Sequence, residues 1–104
     1  MYGRMATYNV SGDPHDLARR AEEGILPIFQ AQQGFRAYTV SFGDGQILSL
    51  SAWETRADAA AGSEAAAAWV ADNMGDELDL VDVRYAEVLF STALGVTTKA
   101  TATA

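Results

Sequence analysis

The chain of 104 residues contains no cysteine and a single histidine, His15. The lack of cysteine excludes disulfide bonds, thiolate nucleophiles and cysteine-ligated metals, and it fits a reducing compartment. One acidic run carries scattered carboxylates: Asp72, Asp76, Glu77, Asp79 and Asp82. Their spacing fits neither a calcium loop nor, with one histidine, a zinc cluster. We therefore expect no metal site and interpret the acidic run as a solvated connection.

Basic residues are also scarce, with 7 lysines and arginines against 14 acidic residues, a net charge of −7. Such a surface repels nucleic-acid phosphates and anionic lipids, so neither is an expected partner. No apolar run approaches the roughly 20 residues of a membrane span, and no basic-then-apolar segment opens the chain. The expectation is a cytoplasmic protein whose length and 49% hydrophobic content suit one small domain.

The first half of the chain predicts a strand, a helix and a second strand. Residues Arg4–Val10 favour a strand. Asp13 and Pro14 suit the N-cap and first position of a helix that extends to about Gln33. Pro27 is expected to bend this helix near Gly24. Gly34 can end it before the alternating residues 35–42.

The second half predicts a hairpin, a helix and a last strand. The sequence Gly-Asp-Gly at 43–45 predicts the hairpin turn into strand 46–53. Thr55 and Asp58 resemble a capping box for an alanine-rich helix over about 56–74. A last strand is expected within 81–91, followed by a flexible tail over 93–104. The single domain would then cover residues 1–92.

This βαββαβ order predicts an α+β, ferredoxin-like fold, with two helices on one face of a four-stranded antiparallel sheet. The other face would be bare. We expect Ile47 and Trp53, with one alternating set from the preceding strand, to lie on that bare face. Because large exposed apolar faces usually mark interfaces, two copies are expected to pack their sheets together as a homodimer.

Three segments resemble one known family. The sequence ILPIFQAQQGFRAY (25–38) is similar to the junction of first helix and second strand in the dimeric α/β-barrel superfamily, most of all its antibiotic-biosynthesis-monooxygenase-like branch. The sequences LSLSAWET (48–55) and YAEVL (85–89) resemble the third and last strands of that branch. The likeness extends over most of residues 4–91 and implies a dimeric α/β barrel. The superfamily includes cofactor-free monooxygenases, haem-degrading enzymes and lactone isomerases.

The resemblance implies two pocket residues, each with a plainer interpretation. Asn9 would face the gap between sheet and helices and donate a hydrogen bond without titrating, or it is a solvated strand-end residue. Trp69 would stand against a ligand, or it is a core anchor beside small residues. Trp53 is expected to pack at the end of its strand. Haem is not expected, because the second helix lacks the histidine that serves as axial ligand in the haem-degrading branch.

Tyrosines paired with charged residues of matching strand parity complete the candidate set: Arg4 with Tyr8, Arg36 with Tyr38, and Tyr85 with Glu87. They form either ion pairs and hydroxyl bonds at a dimer interface or a pocket that binds an enolate or phenolate.

The leading hypothesis is a cofactor-independent monooxygenase-like protein that acts on a small aromatic or polyketide-like substrate. Asn9, Trp69, Tyr38 and Tyr85 are its candidate catalytic residues. The alternative is a non-catalytic ligand-binding or assembly module of the same fold, in which the tryptophans only pack. The sequence leaves open whether the protein is an enzyme.

Overall fold

The computed structural model describes residues 1–99 and has the predicted order of elements. The elements are β1 (Tyr2–Val10), α1 (Pro14–Ala31), β2 (Phe35–Gly43), β3 (Gln46–Trp53), α2 (Arg56–Asn73) and β4 (Leu78–Glu87). The four strands form one antiparallel sheet in the order β2-β3-β1-β4. Thus β1 and β3 are the central strands, and β2 and β4 are the edges. The ferredoxin-like α+β fold is confirmed.

Local sequence explains where the helices and the hairpin begin. The Asp13 carboxylate accepts a hydrogen bond from the backbone N–H of His15 at 2.9 Å. The Thr55 hydroxyl accepts one from the N–H of Asp58 at 3.1 Å, so both predicted N-caps are present. Helix α1 continues through Pro27 as a single element. The hairpin residues Asp44 and Gly45 have φ of 52° and 76°, as a type I′ turn requires.

The last strand differs from its predicted position within 81–91. It begins at Leu78 and ends at Glu87, because β1 is long enough to pair from Val10 with Leu78 to Tyr2 with Glu87. Asp79 and Asp82, which the sequence placed in a solvated connection, belong to this strand. Both carboxylates remain exposed because β4 is an edge strand.

The core lies between the sheet and the two helices. Trp53 is fully buried there, and its ring centroid lies 5.1 Å from Phe29 and 5.4 Å from Phe35. Helix α2 turns Ala59, Gly62 and Ala66 toward this core. These small residues leave room for the large rings.

The assignment of Ile47 and Trp53 to the bare face is therefore wrong. Both are buried on the helix-covered face. Because side chains alternate along β3, the other face carries Leu48 and Leu50. The small residues of α2 determine which face of β3 is covered, because they leave room for the indole of Trp53 beneath the helices.

The uncovered face, which we call the open face, is apolar at its centre. The exposed fractions of Met5, Leu48 and Leu50 are 39%, 43% and 40%. The segment after β4 turns back near one end of this face, where Ser91 and Val96 pair through backbone hydrogen bonds of 2.9 and 3.0 Å. The predicted flexible tail thus begins inside this turn, and its residues 100–104 lie outside the described part of the chain.

Candidate functional site

Polar side chains from three strands meet on the helix-covered face of the sheet. Arg4 and Tyr8 come from β1, Tyr38 from β2 and Ser49 from β3. The strand register brings them together: Arg4 and Tyr38 both pair with Ser51, and Ser49 pairs with Val40. Side chains of one parity point to one face, so all four line the same cavity.

The walls of this cavity, which we call the inner cavity, are apolar. They are formed by side chains of α1, α2 and the sheet, including Leu17, Ile25, Phe29, Ile47, Ala66 and Val70. The free volume is about 20 Å³. That is room for about one water molecule. The inner cavity therefore combines a polar floor with apolar walls in a nearly closed form.

Arg4 is the charged member of this floor. Its side chain is almost completely buried, with a 2% exposed fraction. Its Nε donates a hydrogen bond of 2.7 Å to the hydroxyl of Ser63, on α2. In the portion of the chain that the structure describes, no carboxylate oxygen lies within 4.0 Å of its guanidinium. A cation is thus held in the interior by a neutral partner.

Tyr38 supplies a neutral hydrogen-bond donor. Burial raises the pKa of its phenol, and the Tyr8 side chain adds to this effect. The neighbouring Ser49 hydroxyl and the charge of Arg4 act in the opposite direction and do not cancel it. Tyr38 therefore stays protonated at neutral pH, and its O–H can donate to a negatively charged oxygen.

A groove of about 390 Å³ lies outside the inner cavity, between α1 and the edge strand β2. His15, Arg19, Glu22 and Leu26 form its outer part. Ala18, Tyr38 and Val40 line both the groove and the inner cavity. These three residues form the partition between the groove and the inner cavity.

The prediction that Asn9 faces the gap between sheet and helices is wrong. Asn9 has the parity of Met5 and Thr7, so it lies on the open face, where it is exposed. Its carboxamide oxygen accepts a hydrogen bond of 3.1 Å from Gln46. The solvated strand-end interpretation describes this position.

The other predicted site residues occupy three different places. Tyr38 lines the inner cavity, as described above. Trp69 packs across the helix pair, with its indole over the backbone of Gly24, and does not line the inner cavity. Tyr85 lies on the covered side of β4 beneath the guanidinium of Arg56, whose Cζ is 5.3 Å from the ring centroid. The structure does not bring Asn9, Trp69 and Tyr85 together at one site.

The sequence named Arg4 and Tyr8 as residues of either a pocket or a dimer interface, and their strand face is the covered one, which lines the inner cavity. Ser49 was not selected as a site residue. Ser63 was missed. It is a hydroxyl residue in an otherwise alanine-rich stretch of α2, and this contrast is the feature that could have identified it.

Residues 1–99 contain neither a clustered metal-ligand set nor a membrane-spanning helix. No group of three or more histidine and acidic side chains is arranged to hold a metal ion. Neither α1 nor α2 is long and apolar enough to cross a membrane.

No family model matches the sequence, and no curated protein matches it. Solved structures do match its fold. A protein of unknown function from Nitrosomonas europaea superposes with a TM-score of 0.72 at 20% identity, over 88% of this chain and 91% of the other. SnoaB, a cofactor-independent oxygenase from Streptomyces nogalater, superposes with a TM-score of 0.69 at 11% identity, over 88% and 95% of the two chains.

A third match is a monooxygenase from Streptomyces coelicolor in complex with nanaomycin D. It has a TM-score of 0.63 and 16% identity, over 86% of this chain and 92% of the other. Identities at this level establish a common fold and leave activity undetermined. The expected resemblance is confirmed at that level: the chain has the ferredoxin-like fold of the antibiotic-biosynthesis-monooxygenase-like proteins.

Proposed function

We propose that the inner cavity binds a small aromatic or polyketide-like molecule and that the protein is a cofactor-independent monooxygenase. The observation that carries the proposal is the set of hydroxyl donors from Tyr8, Tyr38 and Ser49 on the floor of an apolar, nearly closed cavity. Apolar walls with a few convergent polar groups are the usual composition of small-molecule sites. SnoaB and the nanaomycin D complex support the choice of chemistry through their shared fold.

The reaction requires little of the protein beyond binding and charge stabilisation. A phenolic substrate with an acidic CH₂ group loses a proton to give an enolate, which transfers one electron to O₂. The resulting radical and superoxide combine to form a C–O bond and a peroxide anion. The peroxide takes up the equivalent of the proton released in the first step, and the hydroperoxide eliminates water to leave a carbonyl. The overall change is CH₂ + O₂ → C=O + H₂O. The hydroxyl of Tyr38 would donate to the enolate oxygen, and the apolar walls would exclude water.

The ligand would enter from the groove between α1 and β2. An aromatic ring system does not fit a space of about 20 Å³, whereas the adjoining groove is about 390 Å³. Displacement of the partition at Ala18, Tyr38 and Val40 would place the ring in the combined space. The polar end of the ligand would then face the cavity floor.

We also propose that the protein is a homodimer joined through the open face. Met5, Leu48 and Leu50 are 39%, 43% and 40% exposed, and Met5 pairs with Leu50 across β1 and β3. A contiguous exposed apolar patch of this kind is typical of an interface. A symmetric pair covers this cluster on both copies at once. The helix-covered cavity of each copy would remain accessible from its own α1–β2 groove.

Oxygen consumption tests the proposed activity. The metal-free protein is mixed with dithranol, an anthrone, and O₂ uptake is compared with the uncatalysed rate. We expect uptake above background and a fall of about tenfold to a hundredfold in Tyr38→Phe, which loses the donor. Tyr2→Phe removes a hydroxyl from the same sheet outside the cavity and should retain full uptake. Uptake at the uncatalysed rate with dithranol and related anthrones would contradict the proposal.

The non-catalytic alternative has one specific observation in its favour: the inner cavity is almost filled. A module whose core merely packs would bind no aromatic ligand there. Thermal unfolding distinguishes the two. If the cavity is a binding site, aromatic ligands raise the melting temperature and Tyr38→Phe reduces the shift; a purely packed core gives no shift in either protein.

A further inference from the structure

Arg4 has an environment that protein interiors rarely provide for a cation. Five other arginines of the described chain are exposed or half-buried, and four of them have a carboxylate partner: Arg19, Arg20, Arg36 and Arg84. Arg56 is exposed and lies over the ring of Tyr85. Arg4 alone is both buried and without a carboxylate within 4.0 Å in residues 1–99.

A buried charge is costly unless a charge of opposite sign and hydrogen bonds compensate it. The Ser63 hydroxyl accepts from Nε of Arg4, and no other hydrogen bond from this guanidinium is present among residues 1–99. Because no fully enclosed side-chain nitrogen lacks a partner in these residues, the terminal nitrogens reach accessible space rather than being sealed in the core. The inner cavity is the space that Arg4 lines. A planar guanidinium with free terminal N–H groups is the preferred partner of a carboxylate or another oxyanion.

The other residues of the inner cavity do not oppose an anion. No aspartate or glutamate lines it, and its remaining polar groups are the hydroxyls of Tyr8, Tyr38 and Ser49. Glu22 lies in the outer groove, on the far side of the partition. The outer surface is acidic overall, with a net charge of −7, so the cavity is a local cationic site within an anionic protein.

We infer that Arg4 makes the inner cavity a receptor for an aromatic anion, with a ligand that carries one negative charge when it binds. This inference rests on the proposed function, because it assigns the class of ligand at the same site. The ligand's oxyanion would take the place of the missing carboxylate partner. Its aromatic body would lie toward the apolar walls and the α1–β2 groove.

Two anionic groups share this chemistry, a carboxylate and an ionised phenol or enolate. Isothermal titration of the wild-type protein with matched probes separates them. The first pair is 2-naphthoate and the neutral 2-naphthamide at pH 7. The second is 2-naphthol, titrated below and above its own pKa. We expect each anionic form to bind at least about tenfold more tightly than its neutral counterpart. The larger of the two preferences identifies the anionic group.

The Arg4→Met variant removes the charge and keeps a long side chain. We expect it to lose the preference for 2-naphthoate, so that the acid and the amide bind with similar affinity. Arg84→Met is the matched control, because it is the same substitution at an exposed position of the same sheet, and it should retain the preference. Ser63→Ala leaves the charge but removes the partner of Nε. We expect it to reduce the preference partially.

Folding stability distinguishes an arginine retained for ligand binding from an arginine needed for folding. If Arg4 is retained for a ligand, Arg4→Met should unfold at the wild-type temperature or above it, since an uncompensated buried cation has been removed. Equal binding of acid and amide by the wild type would overturn the inference, whatever the variant does. Marked destabilisation of Arg4→Met would contradict the expectation that the arginine is retained for a ligand rather than for folding.

The inference and the proposed monooxygenase activity fail in different ways. A clear preference for anions without O₂ uptake would leave an anion-binding module and remove the catalytic proposal. O₂ uptake from dithranol combined with no preference between 2-naphthoate and 2-naphthamide would retain the activity and remove the role of Arg4.

Discussion

The indole of Trp69 on α2 occupies the space that a side chain at residue 24 of α1 would need. A Cβ atom at Gly24 would overlap the six-membered part of the ring. The same arrangement recurs between Trp53 on β3 and Gly62 on α2, where a Cβ would overlap the other indole. Each tryptophan of the chain is therefore matched to one helical glycine. One pair sets the spacing between α1 and α2, and the other sets the spacing between α2 and β3.

The first prediction concerns Gly24. Alanine at a helical position usually adds about 1 kcal/mol of stability relative to glycine. At Gly24 we expect Gly24→Ala to lower the free energy of unfolding by about 1–3 kcal/mol instead, because the ring cannot move without disturbing the helix contact. Urea unfolding measures this. The double variant Gly24→Ala, Trp69→Phe should recover part of the loss; a stabilised Gly24→Ala would refute the packing account.

Trp53 should be the more important tryptophan for stability. It is fully buried, and its Nε1 donates a hydrogen bond of 2.9 Å to the Ser51 hydroxyl. We expect Trp53→Ala to lower the free energy of unfolding by about 3–5 kcal/mol. Trp69→Ala should cost less, because that ring is only partly buried. The same urea experiment compares them, and equal losses would contradict the ranking.

The pKa of Tyr38 predicts a specific dependence of stability on alkaline pH. Burial raises this pKa above its ordinary value of 10.0, so at high pH the unfolded state releases the proton before the folded state does. The contribution of Tyr38 is complete below pH 10.0 and falls as the pH rises from there through the folded-state pKa. Denaturation between about pH 9 and pH 11.5 should show a shallower decline in Tyr38→Phe than in the wild type. Identical slopes would be evidence against a buried phenol.

A charge on the open face tests the proposed dimer. Leu50 is 40% exposed and lies among other apolar side chains of that face. In a symmetric pair the substitution occurs twice, so Leu50→Lys should raise the dimer dissociation constant by about a hundredfold or more. Sedimentation velocity measures this. Gln30→Lys, on the exposed side of α1, is the control and should leave assembly unchanged. A wild-type protein that sediments as a folded monomer at micromolar concentration would contradict the dimer.

The order of elements could be predicted from local sequence because each boundary has a short-range cause. Asp13 and Thr55 cap their helices through side-chain oxygens, and the Asp44-Gly45 pair has the positive φ angles of its turn. These determinants act within a few residues. The position of β4 could not be predicted in the same way, since pairing with the full length of β1 decides where it begins.

The site was harder to predict because it depends on which face of the sheet the helices cover. The alternation of β1 separates Arg4 and Tyr8 from Asn9, but alternation alone does not say which set is buried. The packing of Trp53 against the small residues of α2 settles that choice. Asn9 then lies on the open face and Arg4 on the covered face. The polar group that reaches the inner cavity is therefore the guanidinium of Arg4 and not the predicted amide of Asn9.

The location of a bound ligand is the most direct test of the account. Nuclear magnetic resonance of the isotope-labelled protein is suited to its size of 11.1 kDa, and 2-naphthoate is the probe. We predict that the largest changes in chemical shift on adding 2-naphthoate occur at the side-chain Nε of Arg4 and at the rings of Tyr8 and Tyr38. Changes centred on Met5, Leu50 and the rest of the open face, with Arg4 unaffected, would contradict the assignment of the inner cavity as the binding site.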